Sequence, residues 1–156
     1  MKKIVHLMSV IIILAMLVGC QIGSKAPISA DEFTTKAETA GYIVQDGVDQ
    51  FPEGAVDEYL LAIKGTDEID YQIEFAVVPT VEQAKSAYQE NYDKIESKKG
   101  LFSTHISVSI GNFSSYKLTT DEKYYVISRI ENTFIYVDAS AEYKDEIDDF
   151  LESIGY

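Results

Sequence analysis

Tryptophan is absent from this 156-residue chain, and arginine (Arg129) and cysteine (Cys20) each occur once. Each shortage removes a class of explanation. A lone cysteine forms no intramolecular disulfide, so any domain here is held by packing. His105 is the only histidine after His6, and zinc sites are built from cysteine and histidine. Asp67, Glu68 and Asp70, or Asp145 to Asp149, could offer oxygen ligands, but neither group has the spacing of a calcium loop. Thirteen basic against 26 acidic side chains give a net charge of −13. A chain so acidic is repelled by nucleic acid, and no basic footprint is present. No Gly-rich loop links a strand to a helix to cradle phosphate. No Gly-x-Ser-x-Gly elbow occurs, and His105 lies among serines in a strand-like run without an orienting partner. The residues therefore point away from an enzyme, a metal, a cofactor and nucleic acid.

What is present starts at the N-terminus. Lys2 and Lys3 precede an apolar run from Ile4 to Val18, broken by His6 and Ser9. A positive start, a short apolar core and small residues at the exit make a secretory signal peptide. The run is shorter than the roughly 20 residues a membrane-spanning helix needs. It ends in Leu17-Val18-Gly19-Cys20, which resembles the lipobox of bacterial lipoproteins. The resemblance implies that Leu17 fills an apolar pocket of the signal peptidase and Gly19 leaves room for the backbone at the cut. It also implies that the Cys20 thiol carries a diacylglyceryl group. Two acyl chains anchor stably where one is marginal. The expected division is a signal peptide at 1–19, the lipidated cysteine and a short tether at 20–28, and one domain at 29–156. Losing Lys2 and Lys3 leaves 11 basic side chains against 26 acidic ones, a net charge of −15. The expected location is the extracytoplasmic face of the cell membrane.

Along that domain, Ser29-Ala30-Asp31-Glu32 and Thr80-Val81-Glu82-Gln83 read as capping boxes opening helices. Phe33, Ala37 and Ala40 share a face of the first helix. Val81, Ala84, Tyr88, Tyr92 and Ile95 share a face of the second. A third helix, capped by Ser140, would bury Tyr143, Ile147, Phe150, Leu151 and Ile154. Ile43–Asp46 offers a first strand, Glu58–Lys64 is apolar enough for one with Tyr59, Leu61 and Ile63 on one face, and period-two alternation marks another at Tyr71–Val77. Further strands run at His105–Ile110, Phe113–Thr119, Tyr124–Ile130 and Thr133–Asp138. Glu38-Thr39-Ala40-Gly41-Tyr42 is echoed by Glu152-Ser153-Ile154-Gly155-Tyr156, two helix ends with a glycine stop and an aromatic beyond. The fold expected is α+β, a single antiparallel sheet with about three helices mainly on one face. The other face would present His105, Ser107, Ser109, Gln72 and Glu74.

The chain resembles the small lipoproteins of unassigned function in low-GC Gram-positive bacteria. It shares their lipobox, lysine-over-arginine bias and Tyr-rich domain closing through Glu146, Asp149 and Gly155. The layout also resembles the α/β/α sandwich of photosystem-associated, PsbP-type lipoprotein domains, which implies binding rather than catalysis. Eleven tyrosines are the unusual supply of contact chemistry, rigid area with a hydroxyl handle. Tyr116, Tyr124, Tyr125 and Tyr136 lie in adjacent strands and form the candidate binding surface. The function expected is a membrane-anchored, non-catalytic binding or accessory protein. The alternative is capture of cell-wall fragments or peptides on a tyrosine-rich sheet face.

Overall fold

The computed structural model describes residues 23–65 and 68–156. The signal peptide, Leu17, Val18, Gly19, Cys20 and the Thr66-Asp67 turn lie outside these described residues. Chain order gives α1 (Ala30–Thr39), β1 (Ile43–Asp46), a 3-10 turn, β2 (Glu58–Lys64) and β3 (Tyr71–Val77). Then follow α2 (Val81–Glu96), β4 (Thr104–Ile110), β5 (Phe113–Thr119), β6 (Lys123–Ile130) and β7 (Thr133–Ser140). A 3-10 turn at Ala141–Tyr143 leads into α3 (Lys144–Ser153). The strands form one antiparallel sheet in the order β1-β2-β3-β7-β6-β5-β4, so the α+β reading holds in class and element order.

Burial decides where the helices go. β6 is buried at every residue except Lys123, so both faces at the sheet centre must be covered. On one face Phe33 and Ala37 of α1 and Ile147, Phe150 and Leu151 of α3 close over Leu60, Ala62, Ile73, Phe75, Val126, Ile135 and Val137. Two of the three helices thus share a face, as expected. The longest, α2, lies on the other, where Ile95 packs with Tyr116, Leu118, Tyr125 and Ile127. The apolar stripe on α2 does not say which side of a sheet it meets, so the face expected to be free is instead covered at its centre.

The caps are partly as read. Ser29 Oγ accepts from the Glu32 amide at 3.2 Å and Thr80 Oγ1 from the Gln83 amide at 3.2 Å. Ser140 makes no backbone cap; its hydroxyl bonds Glu142 at 3.0 Å, and the 3-10 turn intervenes before α3. The echoed helix ends are real Schellman turns. The Tyr42 amide reaches the Ala37 carbonyl at 3.0 Å and the Tyr156 amide reaches Leu151 at 2.8 Å. Both tyrosine rings are then buried in the same core. Gly23 to Ile28, expected as a tether, belongs to the fold: Ile28 is 5% exposed within the main core.

Phe33 is the joint between layers. Its ring stacks on Phe75 at 4.6 Å and meets Phe150 edge-on at 6.0 Å. Truncation leaves a cavity that α1, β3 and α3 line together. Phe33→Ala is expected to cost about 3–5 kcal/mol, read as a lower denaturant midpoint with an unchanged slope.

Candidate functional site

α2 covers only part of its face, packing over β5, β6 and β7. Beside it the same face of β2 and β3 stays open. The loop after β1 brings Phe51 and Val56 up to that opening. The result is a cleft of about 410 Å3 between α2, β2, β3 and β7. Small-molecule sites commonly hold about 300–1,000 Å3. Tyr59, Phe134, Tyr136 and Phe51 give its walls aromatic area, Ala76, Val78 and Ala87 give aliphatic area, and Asn91 and Lys94 stand along α2.

One charge is fixed inside it. The Tyr59 hydroxyl donates to Glu74 Oε2 at 2.7 Å, and the Gln72 amide reaches Oε1 at 3.4 Å. The Tyr59 ring is placed by close packing. Phe51 meets it edge-on at 4.6 Å, and a Cβ on Gly47 would sit 2.8 Å from the ring. Only glycine lets the loop come so near. Burial, and then the Glu74 carboxylate, push the Tyr59 phenol far above its ordinary value. Burial likewise pushes Tyr136 up to about 12, helped by Asp138 and Glu74. Both phenols stay protonated near neutral pH; Tyr59 donates its hydrogen bond to Glu74, and the Tyr136 hydroxyl lies on the same wall beside that carboxylate acceptor. The cleft can grip a flat or apolar body and bond a donor group on it.

The four tyrosines proposed as a binding surface do not form one. Tyr116 and Tyr124 are 1% exposed and Tyr125 is 7% exposed. Tyr116 and Tyr125 lie under α2 and its C-terminal turn, where Tyr116 bonds Glu96 and Lys98 sits 4.3 Å over Tyr125. Tyr124 faces the opposite side, since it pairs with Ala139 while Tyr125 pairs with Asp138. Its hydroxyl donates to Asp148 at 2.5 Å. Tyr136 alone lines the cleft. The register predicted for Gln72, Glu74, His105, Ser107 and Ser109 holds, all five sharing the face that carries α2. His105 is exposed on the edge strand, its ring 5.8 Å from Tyr116. Among the described residues no three His, Cys, Asp or Glu side chains converge as a metal site. No helix among them is long and apolar enough to cross a membrane.

The sequence reading missed Gly47, Phe51, Tyr59, Asn91 and Lys94 as site residues. Tyr59 and Glu74 were each assigned to their strands, and pairing of those strands puts them on one face. That juxtaposition was the available signal.

No protein-family model and no curated protein matches the chain. Among solved structures, the extracellular domain of PknH from Mycobacterium tuberculosis aligns with a TM-score of 0.36 at 8% identity. The alignment covers 82% of this chain and 92% of that one, a likeness too loose to bear on function.

Opposite the cleft, Asp148 ties α3 to the sheet. Burial alone would raise its carboxyl. Hydrogen bonds from Lys117 at 2.6 Å, Tyr124 and Lys144 at 2.9 Å outweigh that and hold it below the ordinary value. A carboxyl lowered on folding contributes stability above its unfolded value, near 4, and loses it as pH falls through the folded one. Asp148→Asn should flatten this acid limb in denaturation midpoints measured between about pH 6 and 2, while lowering stability at neutral pH.

Proposed function

We propose that the chain is an extracytoplasmic lipoprotein, held by a diacylglyceryl group on Cys20, whose domain is a non-catalytic binding module. Its ligand is a small amphiphilic molecule of the cell-wall fragment or short-peptide class, taken into the cleft beside α2. The observation that carries this reading is the cleft itself. Aromatic walls flank one carboxylate that Tyr59 and Gln72 hold in place. Sugar rings and aliphatic side chains pack on tyrosine faces, and an amine or amide on the same ligand meets Glu74. Of the two readings open from the sequence, a concave cleft supports small-ligand capture over a flat docking face. The location rests on the ordered signal of Lys2 and Lys3, the apolar run and the lipobox.

Two measurements test the proposal. Ala87 lines the cleft from α2, and Ala87→Trp should fill it. Calorimetric titration of the full-length lipoprotein in detergent with peptidoglycan fragments and short peptides should show binding that this variant weakens at least tenfold. Unaltered binding would move the site elsewhere; no binding by the parent would remove the ligand class. Cys20→Ala should be shed from cells or stay unprocessed, and full membrane retention of that variant would defeat the anchor.

A further inference from the structure

The segment just after the lipobox is clamped onto one end of the domain. Asn112, in the turn between β4 and β5, holds the backbone of Lys25 from both sides. The Lys25 amide donates to Asn112 Oδ1 at 2.9 Å, and Asn112 Nδ2 donates to the Lys25 carbonyl at 2.8 Å. The Lys25 ammonium donates to the Gly155 carbonyl at 2.8 Å and lies 3.9 Å over the Phe113 ring. Upstream, Gly111 runs so close to Gly23 that a Cβ on it would sit 2.4 Å from the Gly23 carbonyl oxygen. Downstream, Ile28 is buried. Six consecutive residues are thus seated across the ends of β5 and α3.

We infer that this clamp is an orienting device, holding the Gly111–Asn112, Glu131–Asn132 and Gly155–Tyr156 end of the domain against a lipid surface. The inference rests on the lipid-anchor reading of Cys20. Chain reach makes the argument. From Cys20 to Gly23 is three residue steps, at most about 11 Å fully extended. A strand of eight residues, as β6 and β7 are, rises about 26 Å. An anchor at Cys20 therefore reaches the turn end only. Were the chain free up to Ser29, nine steps would span about 32 Å, longer than the sheet is tall, and the domain could lie on any side. Acidic groups at this end, Glu131 among them, oppose anionic headgroups, but that repulsion is screened over about 8 Å at physiological salt. Two acyl chains hold against it. The orientation presents the opposite end outward, where Leu101 and Phe102 are 91% and 76% exposed.

Lipid attachment consumes the Cys20 thiol, so an added cysteine is a unique label site. Full-length Glu152→Cys and Asp121→Cys proteins, nitroxide-labelled, are reconstituted in phosphatidylcholine–phosphatidylglycerol vesicles carrying a headgroup nickel chelate. The label at 152, near the clamped end, should be relaxed several-fold more than the label at 121. Asn112→Ala should bring the two toward equality while the protein still floats with the vesicles. A six-residue Gly/Ser insertion before Gly23 should do the same without touching the fold, which covers a misfolded Asn112 variant. Equal relaxation at both sites in the uninserted, vesicle-bound protein overturns the orientation alone. Failure to float with vesicles overturns the anchor reading, and this inference with it.

Discussion

A sheet buried on both faces at its centre is the constraint from which the rest follows. β6 and β7 carry apolar side chains inward on both sides, so neither side can be left to water. α1 and α3 cover the centre of one side, leaving Ile106 and Ile110 of the edge strand β4 exposed. α2, sixteen residues long, covers the other only over β5 to β7. The uncovered part of β2 and β3 becomes a cleft because the loop carrying Phe51 and Val56 rises at its far wall. The candidate site is thus a consequence of one helix covering less sheet than the sheet presents.

Without tryptophan or a disulfide, the layers are tied at their margins by tyrosine hydroxyls. Tyr124 bonds Asp148 of α3, Tyr116 bonds Glu96 of α2, and Tyr59 bonds Glu74 across β2 and β3. Tyr42 and Tyr71 bond each other at 2.9 Å, and Tyr156 bonds Thr133. Each ring adds core area and each hydroxyl satisfies a polar group that burial would otherwise penalise. Acidic side chains at the helix–sheet seam find donors this way, which helps so acidic a chain to close. The high tyrosine count is therefore mostly structural, and Tyr59 and Tyr136 are the ones left with a face toward the cleft.

Alternation and runs of β-branched and aromatic residues made the strands legible, down to the ends of β1, β2, β3 and β5, because both are local properties. Helix starts at Ser29 and Thr80 were legible for the same reason. What the chain does not write locally is which face a helix will choose. Tyr116, Tyr124 and Tyr125 looked available in neighbouring strands. Their fate depended on α2 folding back over β5 and β6, and on Tyr124 and Tyr125 pointing apart as adjacent residues of one strand must. The cleft was invisible because it joins residues from a loop, three strands and a helix. The clamp was invisible because Asn112 and Lys25 are 87 positions apart, and small polar residues before a domain look like a tether until their partners are known.

Cleft and clamp meet at the same end of the molecule. Val78, on the cleft wall, is bonded in both directions to Asn132: its amide to the Asn132 carbonyl at 3.0 Å, its carbonyl from the Asn132 side chain at 2.9 Å. The Glu131–Asn132 turn is in turn tied to Asn112, whose amide reaches Glu131 Oε1 at 3.1 Å. A hydrogen-bonded line therefore runs from Lys25 through Asn112 and the β6–β7 turn to the cleft wall. On the proposed orientation, the Val78 wall of the cleft lies toward the membrane rather than toward the distal loops. A ligand arriving there meets a chain of net charge −13, which disfavours anions and raises the local concentration of cations. Glu74 gives that preference a fixed point on the sheet side of the cleft, across from Lys94 on α2, and the proposed ligand accordingly carries an amine on an apolar or sugar-like body.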